Sequence, residues 1–290
     1  PSPSPVVAAA VGTPSVAEAA ALIGGGELVA AKRKSAHATI AVVRLPVRGR
    51  LAVVGVGPGE AALVPPMARQ ALAAAEEAYG LDQYLQRARG WLRPGCRVRP
   101  GALGDEVGRA EAALAAARAG RSVALVSGGD PGVYAMASPA LERAGDDVDV
   151  VVVPGVTAAL AAAALLGSPL GHDHCAISLS DLLTGWQVIR RRIRAAAAAD
   201  FVVCFYNPRS RARRWQLQEA CALMARHRSP ATPVGVVTDA YRPAQRVTLT
   251  TLGQLDHDLV GMRTIVVVGS TRSRVVAGRM VTPRGYGEPR

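Results

Sequence analysis

Two glycine-rich turns could carry chemistry in this chain. They read "VVGVGPGE" at 53–60 and "VSGGDPGVYAM" at 126–136, and each combines glycine and proline with an acidic residue. Both contain or follow an apolar run that is typical of a short buried strand. In open α/β sheets ligands bind beyond the carboxyl ends of the strands, so both turns are predicted to line a ligand site. A third such turn, "VPGVTAAL", follows at 153–160.

The residue types in these turns argue against a phosphate ligand. The first turn is close to the dinucleotide-binding fingerprint, but its third glycine would fall at Glu60, and Pro58 removes a backbone N–H donor. In the second turn, Gly128 and Gly129 let a ligand approach the backbone, while the Asp130 carboxylate repels phosphate. S-adenosylmethionine, with a positive centre and hydroxyls, fits better. Taken singly, each turn could also be ordinary turn chemistry.

The elements around these turns predict a two-domain α/β protein. From Leu51, short apolar strands alternate with alanine-rich helices such as "PPMARQALAAAEEA" (65–78), which indicates a mostly parallel sheet. The second half ends in three strands with little helix between them, which favours a mixed sheet. We assign 1–49 to an N-terminal extension with a linker, 50–167 to a first domain, 168–274 to a second domain and 275–290 to a disordered tail.

The composition narrows the class of protein further. The four cysteines show no C-x-x-C spacing, which suits a reducing cytoplasm and supports neither disulfides nor an iron–sulfur site. No apolar run approaches the roughly 20 residues that cross a bilayer, so no membrane span is predicted. The net charge of +12 requires an acidic partner or serves solubility. We expect a cytoplasmic protein.

A longer series of motifs resembles the tetrapyrrole methylases, and within them the precorrin-3B C17-methyltransferase branch of cobalamin biosynthesis. The series runs in order over about 50–274 and consists of "VGVGPGE", "ALVSGGDPGVYAMA", "VVPGVTAALAAAALLGSPLGHDHCAISLSD", "FYNPRSRAR" and "MRTIVVVGS". "LGHDHCAISLSD" and "FYNPRS" are the most specific for the branch. The chain departs from the family at Glu60, where aspartate is usual, and at "VPP", where Thr-Pro is usual.

The resemblance implies a two-domain homodimer that holds S-adenosylmethionine in the cleft between its domains. It also implies methyl transfer to C17 of precorrin-3B, a tetrapyrrole polycarboxylate, with ring contraction to precorrin-4. The nucleophile is then a ring carbon of the substrate, and the enzyme holds donor and acceptor in a reactive geometry. The cofactor contacts implied by the matching motifs are Pro58, Gly128, Gly129, Asp130, Val133, Thr157, Ala158, Asn207 and Thr250.

Ring contraction needs proton transfers, for which His172, Asp173 and Asp181 are candidate acids or bases. Alternatively, these residues cap the joint between the domains. The H-x-H spacing in "GHDH" lacks a third ligand in sequence, so no metal site is predicted. Arg209 and Arg211 follow a strand end and could pair with substrate carboxylates, or belong to the solvated surface.

The N-terminal segment has a resemblance of its own. "VGTPSVAEAAALIGGGELVAAKRKSAHATIAVVR" is similar to the end of cobalt-precorrin-5A hydrolase, and only that last part is present. We interpret it as a remnant of a natural fusion and expect no hydrolase activity. Ser15 followed by Glu18 predicts the start of a helix.

Other functions stay open at this point. A relative could methylate uroporphyrinogen III or cobalt-bearing factor III, although "HDHCAISLSD" argues against the first of these. An RNA methylase would suit the positive charge, but no basic stripe interleaved with aromatic residues is present, so we predict no nucleic-acid partner. A nicotinamide oxidoreductase is disfavoured by the broken fingerprint and by the lack of a ribose-binding acid.

Overall fold

Two five-stranded sheets that follow each other along the chain organise the protein. The computed structural model describes residues 9, 15–22, 27–44 and 48–286. Both sheets lie within the predicted ranges 50–167 and 168–274, and the domain limits themselves stay a prediction. No helix in the described ranges is long and apolar enough to cross a membrane.

Before the first sheet, a helix packs on a hairpin. Helix α1 (Val16–Leu22) precedes the antiparallel strands β1 (Glu27–Lys34) and β2 (Thr39–Arg44). As the spacing predicted, the Ser15 hydroxyl accepts a hydrogen bond from the backbone N–H of Glu18, at 3.4 Å. The Glu18 carboxylate accepts from the backbone N–H of Lys32, at 2.6 Å, which joins α1 to the hairpin.

The first sheet is parallel throughout. Its strands are β3 (Arg50–Gly55), β4 (Glu77–Leu81), β5 (Arg97–Gly101), β6 (Ser122–Ser127) and β7 (Asp149–Val153). They are connected through α2 (Pro66–Ala74), α3 (Asp82–Ala88), α4 (Glu106–Arg118) and α5 (Ala137–Leu141). The strand order is β5-β4-β6-β3-β7, so the apolar strands β6 and β3 lie inside and are buried on both faces.

The second sheet is mixed, as predicted. After α6 (Ala158–Leu166) and the short β8 (Gly167–Ser168), its elements are β9 (His174–Ser178), α7 (Trp186–Ala198), β10 (Val202–Tyr206), α8 (Gln216–Met224), β11 (Pro233–Thr238), β12 (Arg246–Thr251) and β13 (Thr264–Val268). The order is β12-β11-β13-β10-β9, with only β9 and β10 parallel. Helices α7 and α8 cover one face, and α6 packs on the other.

The end of the chain differs from the predicted disordered tail at 275–290. Strands β14 (Arg274–Val276) and β15 (Arg279–Val281) form a hairpin that pairs with β8. Met280 is fully buried against the α6 side of the second sheet. The arginine and glycine content of the tail led to the prediction of disorder, although the hairpin segment "RVVAGRMV" is apolar at five of its eight positions. Residues 287–290 lie outside the described residues.

The pattern also missed strand β4, because the helix predicted over 65–78 ends at Ala74. Glu77, in this strand, is only 2% exposed. Its carboxylate lies 2.7 Å from both Arg97 Nη2 and Arg121 Nε, and it accepts a hydrogen bond from the Tyr79 hydroxyl at 2.9 Å. Burial alone would raise the pKa of Glu77, but Tyr79 and the two arginines outweigh it and lower the pKa.

We expect Glu77→Gln to lower the free energy of unfolding by about 2 kcal/mol at pH 7, because the arginines lose their counter-charge but stay partly exposed. Since the folded pKa is lowered, the wild-type carboxylate stabilises the fold above its ordinary pKa of 4.5, and this contribution is lost as the pH falls through the folded value. Urea denaturation at pH 7 and pH 3.5 measures both effects. A gap between wild type and variant that does not shrink at the lower pH would contradict this explanation.

Candidate functional site

The first two glycine turns are joined to each other by their backbones. The N–H of Gly57 donates to the carbonyl of Gly129 at 3.1 Å, and the N–H of Gly129 donates to the carbonyl of Gly57 at 2.8 Å. Both residues have φ near +65°, which favours glycine. The carboxyl ends of β3 and β6 therefore present one continuous surface, as the sequence predicted.

Asp130 ties the third turn to this surface. Its Oδ1 accepts the N–H of Gly132 at 2.8 Å, and its Oδ2 accepts the N–H of Gly155 at 3.0 Å. A Cβ on Gly155 would lie 2.2 Å from the carbonyl oxygen of Gly129, so the two backbones meet where no side chain fits. The three turns thus form a single junction.

No charged group among the described residues balances the charge of Asp130. Both of its hydrogen-bond donors are neutral backbone groups, and within the described part of the chain it forms no ion pair. A carboxylate offers about four acceptor positions, so acceptor capacity is left over. The junction therefore has a fixed negative charge that is available to a cationic ligand.

Hydroxyl groups connect this junction to the second sheet. The Tyr206 hydroxyl at the end of β10 accepts the N–H of Ala159 at 2.9 Å and lies 2.7 Å from the Thr157 hydroxyl. Burial raises the pKa of Tyr206, so the phenol keeps its proton and can donate it to Thr157. The Tyr134 ring packs on Tyr206 with centroids 5.2 Å apart, and the Tyr134 hydroxyl donates to the carbonyl of Ala176 at 3.0 Å.

A buried arginine organises the second-sheet side of the site. Arg213 is 6% exposed and donates from Nη1 to the carbonyl of Asn207 at 3.0 Å and from Nη2 to the Ser180 hydroxyl at 2.9 Å. Its Nε lies 3.7 Å from Asp181, which also accepts a hydrogen bond from Gln216 at 3.0 Å. Asn207 follows Tyr206 directly and has a left-handed φ of 48°. The hydrogen bond from Arg213 to its carbonyl holds the Asn207 backbone in this conformation.

Most of the predicted cofactor contacts lie around this junction. Pro58 is buried, and its carbonyl accepts a hydrogen bond from Arg242 Nε at 2.8 Å. Val133 and Ala158 pack against the α6 side of the second sheet. The structure thus brings together Pro58, Gly129, Asp130, Val133, Thr157, Ala158 and Asn207.

The other two predicted cofactor contacts are Gly128 and Thr250. A Cβ on Gly128 would lie 2.4 Å from the ring of Tyr84, so the close approach of this ring requires glycine there. Thr250 pairs with Val234 of β11, and Val234 packs in the apolar core between the second sheet and helices α7 and α8. Leu249, the residue before Thr250, packs on the opposite face of the sheet, where α6 lies. Thr250 therefore lies on the sheet face that is turned away from the junction.

The predicted acid–base residues fall at opposite ends of the second sheet. His172 and Asp173 precede β9, whereas Asp181 follows it. Four residue steps along a strand span about 13 Å, so the first two lie well away from the junction. There, the Asp173 N–H donates to His172 Nδ1 at 2.8 Å, beside a cleft of about 790 Å³ that residues 281–286 help to line. Among the described residues, no cluster suited to a metal ion is found.

The predicted substrate arginines are also placed outside the junction. Arg209 Nη1 lies 2.6 Å from both the His257 carbonyl and Asp258 Oδ1, so it holds the turn before β13. Arg211 is exposed. Sequence reasoning missed Arg87 and Arg242, which bind the carbonyls of the 56–58 segment. The only sequence signal was the position of Arg242 in the turn after a buried strand.

Family comparisons agree with this arrangement. Residues 50–256 match the family model described as "Tetrapyrrole (Corrin/Porphyrin) Methylases", and residues 1–43 match "Cobalamin synthesis G C-terminus". A relative from Salmonella typhimurium, "Probable cobalt-factor III C(17)-methyltransferase", is 47% identical over 81% of this chain and 99% of its own length. The "Precorrin-3B C(17)-methyltransferase" of Sinorhizobium sp is 45% identical over 82% of this chain and 97% of its own length.

Solved structures show the same fold. The methyltransferase CobJ superposes with a TM-score of 0.76 at 38% identity, covering 81% of this chain and 100% of that chain. Uroporphyrin-III C-methyl transferase from Thermus thermophilus, "complexed with S-adenyl homocysteine", gives 0.58 at 25% identity, covering 77% and 98%. Because the family model spans most of the chain and these relatives match nearly end to end, the chain belongs to the tetrapyrrole (corrin/porphyrin) methylase family.

Proposed function

We propose that this chain transfers the methyl group of S-adenosylmethionine to C17 of precorrin-3B, with ring contraction to precorrin-4 in cobalamin biosynthesis. The observation that carries the proposal is the match to two relatives whose names both specify methylation at C17, at 45% and 47% identity over nearly their whole lengths. The names differ in the substrate, precorrin-3B in one relative and cobalt-factor III in the other. Cobalt-factor III is therefore the second candidate substrate.

The junction fits S-adenosylmethionine. Asp130 supplies an unbalanced negative charge, Val133 and Ala158 supply apolar surface, and a Cβ on Gly129 would meet no atom closer than 3.8 Å. The last observation means that a Cβ at Gly129 would make only ordinary van der Waals contact with residues 156–158, so the backbone there is not crowded. When bound, S-adenosylmethionine supplies an electrophilic methyl group on a sulfonium. The solved relative that holds S-adenyl homocysteine supports this cofactor.

The chain's own residues then act by positioning and by proton transfer. Thr157 and Tyr206 fix the start of α6 against the end of β10. Since an enzyme nucleophile is not required, this positioning contributes most of the catalysis. Of the three candidate acids and bases, Asp181 lies on the junction side of the second sheet, so we assign proton transfer to Asp181.

We also propose a cytoplasmic homodimer. The four cysteines are free thiols and two of them are buried, which suits a reducing compartment. The dimer is supported by the family resemblance. Multi-angle light scattering of the purified protein should give about twice the chain mass of 30.0 kDa. A single-chain mass at assay concentration would contradict it.

The test of the proposed function is a comparison of three substrates under anaerobic conditions. The protein is incubated with methyl-labelled S-adenosylmethionine and either precorrin-3B, cobalt-factor III or uroporphyrinogen III, and the tetrapyrrole mass is recorded. We expect one added methyl group on precorrin-3B. Label only on cobalt-factor III would show that cobalt-factor III, and not precorrin-3B, is the substrate. Label only on uroporphyrinogen III would contradict the assignment to the C17-methyltransferases.

His172→Ala tests the assignment of the acid–base residues. Because His172 lies at the far end of β9, we expect turnover within about twofold of wild type, whereas Asp181→Asn should lower kcat by about 100-fold. Single-turnover rates at saturating cofactor measure both. A large loss in the histidine variant, with Asp181→Asn unaffected, would return the proton transfer to the 172–173 pair.

A further inference from the structure

A cleft of about 690 Å³ opens beside the proline loop, which is the turn at 53–60 that contains Pro58. Gly59 and Glu60 form one wall, and the 241–245 loop after β11 forms the other. A Cβ on Gly59 would lie 2.2 Å from the carbonyl oxygen of Tyr241, so the walls touch at the base. Arg87 from α3 and Arg242 from the loop line the space between them, one from each sheet region.

Arg87 is held there with donors to spare. Its Nη2 donates to the carbonyls of Val56 and Gly57, both at 2.8 Å. Its Nε and Nη1 are buried and have no hydrogen-bond partner among the described residues. Burial, and next the charge of Arg242, lower the pKa of Arg87 to about 10. The guanidinium is thus a partly desolvated cation whose hydrogen bonds the protein alone does not satisfy.

Arg242 adds a second, more accessible cation. Its side chain is 24% exposed, and its Nε donates to the carbonyl of Pro58. Its Nη1 lies 3.7 Å from Asp239, a carboxylate that Arg263 approaches more closely, at 3.0 Å. Among the described residues that line the cleft, the one acid is Glu60, which is exposed and forms no ion pair within the described ranges. Two arginines therefore face one exposed carboxylate, and the cleft is left with positive charge.

Resting on the proposed function, we propose that Arg87 and Arg242 form a carboxylate-binding site for a reactant of the methyl transfer. Guanidinium groups match carboxylates in geometry, and an entering carboxylate would relieve the repulsion between the two cations. Two reactant groups have this chemistry: the acetate and propionate side chains of the tetrapyrrole, and the carboxylate of the cofactor's methionine part. If the macrocycle supplies the carboxylate, the site has the role that the sequence suggested for Arg209 and Arg211, of which Arg209 is paired with Asp258.

The test uses Arg242→Met with Arg263→Met as its matched control. Both arginines approach Asp239, but Arg263 is 62% exposed and does not line the cleft. Calorimetry compares the affinity for S-adenosylhomocysteine with the affinity for 5′-methylthioadenosine, which lacks the amino acid part. Fluorescence titration measures uroporphyrin III, an octacarboxylate macrocycle, and steady-state assays give KM for precorrin-3B. Since Arg242 also holds the proline loop, Arg87→Lys, which keeps the charge, is the second variant.

We expect Arg242→Met to weaken one carboxylate ligand at least tenfold, as loss of a charge-assisted hydrogen bond does, while Arg263→Met stays near wild type. Weaker binding of S-adenosylhomocysteine, with unchanged binding of methylthioadenosine, assigns the site to the cofactor's carboxylate. Weaker uroporphyrin III, or a raised KM for precorrin-3B, assigns it to the macrocycle. No loss beyond that of the control, for any of these ligands, would overturn the proposal.

Glu60→Gln gives a result of opposite sign that misfolding cannot imitate. Removing this acid from the cleft should tighten the same ligand by a few-fold, because a like charge is lost. Unchanged or weaker binding in Glu60→Gln would count against the site. If the wild-type protein fails to methylate any tetrapyrrole, the proposed function fails, but the two binding titrations still decide whether the arginines bind carboxylates.

Discussion

Asp130→Asn should weaken S-adenosylmethionine binding by about 100-fold and S-adenosylhomocysteine binding by only about tenfold. The carboxylate is the unbalanced charge at the junction of the three turns, and only the first of the two ligands carries a sulfonium. The amide keeps the shape of the side chain and one acceptor oxygen. The loss of affinity that both ligands share therefore reports the weaker hydrogen bond between residues 130 and 155. The additional loss for S-adenosylmethionine reports the missing charge opposite its sulfonium.

Calorimetric titration of both ligands measures this difference. Asp147→Asn is the control, because Asp147 is an exposed carboxylate that pairs with Arg118 on the surface and should leave both affinities unchanged. Equal losses for the two ligands in Asp130→Asn would contradict an electrostatic role toward the sulfonium. Asp130 would then act on a group that both ligands share, or by holding Gly132 and Gly155 in place.

Gly155→Ala should abolish cofactor binding and lower the free energy of unfolding by about 3 kcal/mol. The new Cβ would lie 2.2 Å from the carbonyl oxygen of Gly129 and within 3.0 Å of the backbone of Gly55. All of these atoms are backbone atoms of the junction, so they can move only if the three turns separate. The same methyl group that destabilises the fold therefore also removes the ligand surface.

Urea denaturation and a cofactor titration on the same preparation test this pair of effects. Gly90→Ala is the matched control, because a Cβ at Gly90 would meet no atom within 4 Å. A Gly155→Ala protein that binds S-adenosylhomocysteine with wild-type affinity would show that the tight contact between the turns is not needed for the site.

The meeting of the three glycine turns, which the sequence predicted, follows from strand ends. "GVGPGE", "SGGDPG" and "VPGVT" each follow an apolar run, and the carboxyl ends of neighbouring parallel strands must lie side by side. The convergence of Gly129, Asp130 and Thr157 was therefore predictable. The hydrogen bond from Gly155 to Asp130 was not, because it joins residues 25 positions apart.

The residues that lie away from the junction have equally specific reasons for their placement. Thr250 sits one residue from Leu249, and a shift of one residue along a strand reverses the face, which no local pattern in "RVTLTTL" reveals. Arg209 looked available, but its partner Asp258 is 49 positions away in the sequence. His172 and Asp181 are nine residues apart in the sequence, but β9 lies between them and places them at opposite ends of the second sheet.

The proposed function is methyl transfer to one carbon of one macrocycle. The most direct test is anaerobic incubation of the pure protein with ¹³C-methyl S-adenosylmethionine and precorrin-3B, followed by NMR of the tetrapyrrole product. We expect a single labelled methyl group bonded to C17 of a contracted ring. A labelled methyl group on any other carbon, or an unlabelled product from a preparation that binds the cofactor, would contradict it.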